Sequence, residues 1–355
     1  MARASGYYKT GYAQQIALLE TRTQKAWLAT LALLLVLLPL VAGGFVIDLA
    51  NQVFLAVIGS VALMLLTGVA GQVSLGHAGL LAAGALTVGV LTRETGAPFW
   101  ITLPASAIMG AALGIVFGLP SLRLKGLYLG ISTLALHFVV TFLGHEYESR
   151  RGFSSGVTID PPRVFGIEIY RPGTWYAVLL AAAVLVVIFA LNLLRTRTGR
   201  AWRAIHDRDV VAEALGVPVY RAKLSAFVVS STLTAFAGGL FAYYRGFVAT
   251  EAFSMFLTIQ YVAMVIIGGL GSILGAILGA VFVTLLPYAI EAVVRLVGLE
   301  GALSGYVFAI NYACFGIAMI FFLAVEPEGL AGIWRRVRDY FLLWPFRATP
   351  LARGR

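Results

Sequence analysis

Three polar side chains interrupt an apolar stretch of the chain and are candidates for contact with a polar solute. The run Gly68–His77 reads GVAGQVSLGH and places Gln72, Ser74 and His77 among glycine and aliphatic residues. Polar side chains in such surroundings usually face a cavity or pair with another polar group. We therefore predict that these three side chains line a cavity that a solute enters. The alternative for His77 is a structural role, in which hydrogen bonds hold the ring within the packing.

Other polar residues in apolar runs are weaker candidates for the same cavity. They are Ser132 and Thr133 in the run 127–144, and Gln260 in the run 257–269. Hydroxyl groups in apolar helices usually bond to their own backbone or to a neighbouring helix, which weakens the case for the first two. The four histidines are scattered, and no pair of them has the spacing of zinc ligands, so we predict no metal site.

The motifs of common enzymes do not occur in the chain. It has no G-x-x-x-x-G-K-[ST] loop for the phosphates of ATP, no G-x-S-x-G nucleophile elbow and no H-E-x-x-H zinc motif. We therefore predict no catalytic residue and no cofactor bound by this chain. Carboxylates are also scarce within the apolar runs, since Asp48 and Glu291 lie near their ends. A carrier driven by protons or sodium normally needs such groups at mid-membrane, so an energy source outside this chain is favoured.

The composition is that of a protein with many membrane spans. Of 355 residues, 60% are hydrophobic and 12% are charged, and the mean hydropathy is +0.91. A soluble chain would carry about 25% charged residues. We predict an all-α transmembrane bundle of about 8–10 spans. The ten apolar windows are 27–46, 50–69, 76–92, 98–119, 127–144, 174–194, 224–244, 257–269, 273–289 and 306–325.

The charges are distributed unevenly along the chain. The segments 1–26, 120–126, 195–223 and 326–355 together hold 19 Lys/Arg and 7 Asp/Glu, whereas the rest of the chain holds 7 and 9. Positive charge gathers on the cytoplasmic side of membrane proteins, so we predict that these segments and both termini are cytoplasmic. The net charge of +10 then reflects topology, and nucleic acid is not a predicted partner. The window region 27–325 is the predicted membrane domain, and 326–355 is a basic tail.

The segment 195–223, which we call the polar segment, separates two apolar runs. Asp207 is a candidate N-cap, and Gly216 is a candidate left-handed stop residue, so we predict a short amphipathic helix over 208–215. A helix of about 12 Å cannot cross a bilayer and must lie across it or in the groove of a partner. The alternative is a solvated basic loop. The predicted apolar side of this helix carries Val210, Val211, Ala214 and Leu215.

Glycine-rich interruptions occur in both halves of the chain. The first is the run 68–77, and the second is the run 267–279, which joins the windows 257–269 and 273–289. Broken helices at matching places in two halves are typical of transporters. We predict that the first run lines a cavity and that residues 273–279 pack closely through their glycines, as Gly238 does. The windows on either side of the second run are short and together could form one broken or re-entrant element.

Several motifs, taken together, resemble one known family. Four runs resemble the branched-chain amino acid ABC permeases of the LivM type: Gly68–Ala85 (GVAGQVSLGHAGLLAAGA), Gly126–Leu136 (GLYLGISTLAL), Gly199–Lys223 with its GRA-x-RAI…ALG…K pattern, and Ala263–Pro287. The resemblance covers about residues 27–325 in order. It departs in the segment 145–173, the longest predicted exterior loop, where many family members have T-G-G and this chain has Gly152-Phe-Ser-Ser-Gly156.

The resemblance implies a type II-like importer permease in the bacterial inner membrane. Its implied partners are a paralogous permease that forms a heterodimer with it, two cytoplasmic ATPase subunits that bind ATP and Mg²⁺, and an external substrate-binding protein, with membrane lipid around the spans. The polar segment is then similar to a coupling loop. The implied coupling residues are Arg200, Arg203, Asp207, Val211, Glu213, Leu215 and Gly216.

Three functions stay open on the sequence. The favoured one is import of branched-chain or other hydrophobic amino acids. Related permeases carry urea, short amides or aromatic acids, so another substrate of the same family is the first alternative. A carrier or channel that works alone, without an ATPase, is the second. A membrane enzyme has no catalytic constellation to support it.

Overall fold

The structure is a computed structural model that describes residues 22–121, 124, 126–153, 156–164, 167–296, 307–326 and 328–343. Helices account for most of these residues, which confirms the predicted all-α bundle. The predicted terminal segments fall partly outside the described residues, at 1–21 and 344–355. In chain order the helices are α1 (Arg22–Val41), α2 (Gly44–Leu63), α3 (His77–Thr95), α4 (Phe99–Ser121), α5 (Leu127–Arg151), α6 (Pro172–Leu193), α7 (Arg197–Asp207), α8 (Asp209–Ala214), α9 (Val219–Arg245), α10 (Met255–Gly268), α11 (Ile273–Leu296), α12 (Val307–Val325) and α13 (Gly329–Leu343).

Two small antiparallel sheets complete the described structure. In the first, β1 (Val157–Thr158) pairs with β4 (Phe247–Val248), which places Val157 opposite Val248. In the second, β2 (Arg163–Val164) pairs with β3 (Ile167–Glu168). The first sheet joins the segment after α5 to the end of α9. The predicted exterior loop therefore starts later than expected, because α5 continues through 145–151.

Among the described residues, seven helical stretches are long and apolar enough to cross a membrane, or eight if α12 and α13 count as one bent span. Ten windows were predicted from hydropathy, and the windows 27–46, 76–92 and 306–325 account for the difference. The first window is interrupted after α1, where Gly43 and Gly44 separate it from α2. The window 76–92 forms α3, which is largely buried inside the protein. Many of its residues are small, which suits a helix that packs against other helices.

The centre of the bundle is α9, which packs against α2, α3 and α4. Glycines permit this close packing. A β-carbon at Gly84 on α3 would overlap the carbonyl oxygen of Ala235 on α9, and one at Gly238 would overlap the carbonyl oxygen of Leu81. The predicted packing role of Gly238 is therefore confirmed. Small residues at such crossings let helix backbones approach closely in membranes.

Helices α10 and α11 form a tight hairpin around the second glycine-rich run. A β-carbon at Gly275 would lie 2.6 Å from the carbonyl oxygen of Gly268, and one at Gly279 would overlap the carbonyl oxygen of Met264. The predicted packing of 273–279 is confirmed. Both helices belong to stretches that pass the length and hydropathy test for a span, and α11 extends to Leu296, beyond the predicted 289. The pair is therefore two packed helices and not one broken element.

Candidate functional site

The first glycine-rich run forms a break between two helices. A short π-helical stretch, Met64–Val69, ends α2, and residues 70–76 are non-helical until α3 starts at His77. We call residues 70–76 the first break. Gly71 lies in the left-handed region with φ +70°, which favours glycine. The break therefore lets the chain leave one helix and enter the next within the packed bundle.

Gln72 is fixed within the first break by three hydrogen bonds. Its backbone N–H donates to the carbonyl of Leu66 over 3.0 Å, and its side-chain Nε2 donates to the carbonyl of Lys223 over 3.0 Å. The hydroxyl of Thr67 donates to its carbonyl over 3.1 Å. Lys223 is the last residue of the polar segment and lies near the start of α9, so Gln72 ties the break to that segment.

The other predicted cavity residues lie in packed surroundings. Ser74 and His77 are buried, at 2% and 1% exposure. Thr133 is also buried, and its hydroxyl accepts from the backbone N–H of Leu75 over 2.8 Å, so it holds the break. Ser132 and Gln260 are half-buried on α5 and α10. That these side chains line a solute path stays a prediction.

His77 begins α3 among polar and aromatic side chains from other helices. Its Nδ1 lies 3.4 Å from the hydroxyl of Thr234 on α9, and its ring centroid lies 4.6 Å from that of Tyr261 on α10. Its Nε2 is buried and finds no hydrogen-bond partner among the described residues. A buried polar atom without a partner costs free energy, so a change of packing that brings it a donor or acceptor would be favoured.

An open cavity of about 620 Å³ lies between the first break and the polar segment. Of the predicted path residues, Gln72 lines it, whereas Ser74 and His77 do not. Its remaining walls come from the chain around the start of α5, the junction of α7 with α8, and the start of α9. The lining residues are Ala70, Gly71, Gln72, Leu124, Gly126, Leu129, Ile205, His206, Asp207, Arg208, Asp209, Val210, Val211 and Lys223.

The polar segment contains two helices where one was predicted. Asp207 is the last residue of α7 and not an N-cap, so that prediction was wrong. The break falls at Arg208, whose backbone is extended with φ −157° and ψ 111°, and α8 then covers only Asp209–Ala214. Helix α7 has its own N-cap, because the hydroxyl of Thr196 accepts from the N–H of Gly199. The predicted stop is confirmed, since Gly216 has φ +82°.

The apolar side of α8 is exposed, and its Val210 and Val211 also line the open cavity beside the first break. Val210 is 73% exposed, Val211 49% and Leu215, just past the helix, 79%. The opposite side is attached to the protein through buried Ala212 and through an ion pair of 2.5 Å between Asp209 and Lys223. The predicted two-sided character is therefore present. Arg200, Arg203 and Glu213 are also exposed.

Helix α7 connects the polar segment to the first break, which the sequence reasoning missed. Trp202 is fully buried, and its Nε1 donates to the hydroxyl of Ser225 on α9 over 3.0 Å. A β-carbon at Gly71 would lie 3.1 Å from Nδ1 of His206 and 3.3 Å from its Cα. The signal for this helix was present as apolar Trp202 and Ile205 at i, i+3 among basic residues.

The residues just before the first break lie against the turn between α10 and α11, residues 269–272, which we call the second break. A β-carbon at Gly68, in the π-helical stretch, would lie 2.8 Å from the backbone nitrogen of Gly271. The same N–H points at the sulfur of Met64, 3.2 Å away. Close contacts therefore join His206 to the first break, and the π-helical stretch that leads into this break to the second break.

Polar contacts also join the spans at the end away from the polar segment. Asp48 on α2 accepts from the hydroxyl of Tyr244 on α9 and, over 2.8 Å, from Nε2 of Gln52. The hydroxyl of Tyr288 on α11 donates to Oε1 of Gln52 over 3.1 Å. Asp48, near the end of a span, and Gln52 together link α2 to α9 and α11.

Glu148 closes the same end of the bundle. It is 8% exposed, and its Oε1 accepts from the backbone N–H of Thr250 over 2.9 Å and from its hydroxyl over 2.8 Å. We expect Glu148→Ala to lower the free energy of unfolding by about 1–3 kcal/mol, because two buried donors lose their acceptor. Thermal unfolding in detergent measures it. The control is Glu146→Ala, since Glu146 pairs with exposed Arg150, and a loss of equal size there would contradict the special role of Glu148.

Comparison with known proteins adds to this geometry. Residues 45–323 match the family described as branched-chain amino acid transport system / permease component. The chain is 33% identical over 286 residues to the high-affinity branched-chain amino acid permease protein LivM of Escherichia coli K12, which covers 74% of this chain and 67% of that protein. No solved structure matches the chain.

Two further relatives show the breadth of the similarity. The probable branched-chain amino acid permease LivM of Methanocaldococcus jannaschii is 28% identical over 229 residues, 63% of this chain and 66% of that protein. The autoinducer 2 import permease LsrC of Enterobacter sp. strain 638 is 29% identical over 287 residues, 75% of this chain and 78% of that protein. Since the family match extends over both breaks and the polar segment between them, the chain belongs to the family of branched-chain amino acid transport permease components, the membrane subunits of ABC importers.

Proposed function

We propose that this chain is the membrane subunit of an ATP-driven importer for branched-chain or other hydrophobic amino acids. The substrate class is that of the LivM relatives, which are named as permeases for branched-chain amino acids. In this proposal the chain lies in the bacterial inner membrane with both termini cytoplasmic. A paralogous permease pairs with it, an external binding protein delivers the substrate, and two cytoplasmic ATPases bind ATP and Mg²⁺.

The observation that carries the proposal is the exposed apolar side of α8. Val210, Val211 and Leu215 project from a segment rich in charge, where water would otherwise surround them. Exposed apolar groups rimmed by polar ones mark sites of protein contact. An ATPase groove that takes up this side would bury the three side chains and gain the free energy of their removal from water.

Movement of α8 has a direct route to the spans. Asp209 and Lys223 hold α8 on the start of α9, and α7 lies against the first break through His206. The π-helical stretch that leads into the first break lies against the second break at Gly68 and Gly271, so a shift of the polar segment that displaces the first break would also press on the second. We infer that ATP-driven closure of the ATPases changes the helix ends at these breaks and so opens the path for substrate.

Co-purification tests the proposal. The chain is tagged at its C-terminus and isolated from its source membrane in mild detergent. We expect a second permease and the ATPases to come with it, and ATP hydrolysis to disappear once every ATPase is stripped off, because the chain has no phosphate-binding loop. Steady hydrolysis by the stripped chain would contradict the proposal.

A pair of glycine variants tests the route through the first break. Gly71 and Gly96 both have positive φ, +70° and +63°, but only Gly71 has atoms within 4 Å of an added β-carbon, and these belong to His206. Both Gly71→Ala and Gly96→Ala should cost about 1–2 kcal/mol of backbone strain. We expect only Gly71→Ala to lower uptake per ATP hydrolysed, by several-fold. Uptake and hydrolysis are measured in the same vesicles, and equal coupling ratios in both variants would exclude this route.

A further inference from the structure

The last described helix, α13, has two different sides. Ile333, Trp334 and Val337 are 42%, 53% and 43% exposed, and their spacing of i, i+1 and i+4 places them on one side. Arg335 lies on the opposite side and Arg338 at the edge between the two sides, each about half exposed. An exposed helix with one apolar and one basic side is the pattern of helices that lie in the membrane–water interface.

The charges around α13 are partly paired. Arg336 forms an ion pair of 2.5 Å with buried Glu326 at the bend before the helix. Arg335 pairs with exposed Glu328 over 3.1 Å, and Arg338 pairs with its neighbour Asp339 over 3.0 Å. Exposed pairs of this kind are weak, so the arginines on the polar side stay available to the phosphates of lipid headgroups.

The position of α13 relative to α12 supports the same placement. Helix α12 is apolar and has 19 residues, so at about 1.5 Å per residue it is about 28 Å long and nearly crosses the hydrocarbon layer by itself. Its residues Ile317, Ile320 and Val325 are exposed, as expected for a helix that faces lipid. The axis then bends by 51° into α13. The bend turns α13 away from the direction of α12 just after this apolar helix ends.

The start of α13 is packed against the second break. A β-carbon at Gly329 would lie 2.5 Å from the backbone nitrogen of Gly269 and 2.6 Å from the carbonyl oxygen of Ile267. Both glycines have positive φ, +62° at Gly329 and +109° at Gly269. Any displacement of α13 therefore reaches the turn between α10 and α11 directly.

We propose that α13 lies on the lipid surface, with Ile333, Trp334 and Val337 inserted among the headgroups and the arginines facing phosphate, and that it anchors the second break to the membrane. This inference needs only that the chain spans a membrane, and it does not depend on the substrate or the ATPases. It assigns the apolar side of α13 to lipid rather than to a partner protein.

Site-directed spin labelling of the full chain tests the proposal. Cys314 is the only cysteine, so Cys314→Ser gives a background in which Val337→Cys and Arg335→Cys each carry one label. The two positions are two residues apart and so lie about 160° apart around the helix, which makes each the matched control for the other. The chain alone is placed in phosphatidylcholine vesicles, with or without phosphatidylglycerol, and collisions with oxygen and with a water-soluble nickel complex are measured.

We expect the label at 337 to collide several-fold more with oxygen and several-fold less with nickel than the label at 335. Adding phosphatidylglycerol should increase this contrast, because anionic headgroups attract arginine. Equal, water-like collision rates at both positions would overturn the proposal. A label at 337 that is shielded from both reagents only in the complex with partner subunits would also overturn it and would make α13 a protein-docking surface. The experiment measures only the collision rates of the labels and does not depend on ATP-driven uptake.

Discussion

Replacing Leu215 by aspartate is expected to abolish ATP-driven uptake while the chain folds and inserts normally. Leu215 is 79% exposed, so an aspartate there meets water in the chain alone and costs little stability. In an ATPase groove the same carboxylate would lose its water without gaining a partner, which costs more than about 2 kcal/mol at the centre of an interface. Val211→Asp should act in the same direction. Uptake in vesicles and the yield of co-purified ATPase measure the effect.

Two further variants sharpen this prediction. Gly216 has φ +82° and no atom within 4 Å of an added β-carbon, so Gly216→Val strains only the backbone that ends α8 and should also lower uptake. Arg208→Glu changes charge at the exposed break between α7 and α8 and should do less, because it leaves the apolar side intact. If Leu215→Asp and Gly216→Val both transport normally with unchanged complex yield, α8 is a loop that serves topology alone.

Replacing Gly279 by valine is expected to prevent the α10–α11 hairpin from closing. Even the β-carbon would overlap the carbonyl oxygen of Met264, and it would lie 3.0 Å from Cα of Gly268. These are backbone atoms, which cannot rotate away as a flexible side chain can. Overpacking commonly costs about 1–3 kcal/mol, and we expect at least the upper end here. The yield of folded protein in detergent and its unfolding temperature measure the loss.

Gly316 on α12 is the matched control for this variant. It is also a glycine in an apolar helix, but no atom lies within 4 Å of an added β-carbon. Gly316→Val should therefore retain the yield and unfolding temperature of the parent chain. Equal losses in both variants would mean that helix propensity, and not the approach of α10 to α11, explains the requirement for glycine at 279.

The sequence predicted the helical bundle and its packing glycines because both depend on local composition. Gly238 and Gly279 lie at helix crossings, as their small-residue surroundings indicated. The ten hydropathy windows outnumber the seven or eight stretches among the described residues that pass the test for a span. One of the additional windows, 76–92, forms α3, whose many small residues pack against other helices.

The details of the polar segment were harder to predict. An Asp before an apolar run is a common helix start, but Asp207 instead ends α7, because the chain continues a helix that Thr196 had already capped. The contact between His206 and Gly71 joins positions far apart in the chain, and no local pattern specifies such a contact. For the same reason, the sequence marked Gln72 as polar within an apolar run but gave no indication of its bond to Lys223.

Uptake by a reconstituted complex tests the central claim most directly. The tagged chain, with the subunits that co-purify with it, is placed in vesicles together with its external binding protein and radiolabelled leucine. We predict accumulation of leucine only when Mg²⁺ and ATP are present on the side of the polar segment, and none with the chain alone under a proton or sodium gradient. Accumulation by the chain alone under such a gradient, with no effect of ATP on the complex, would contradict the account.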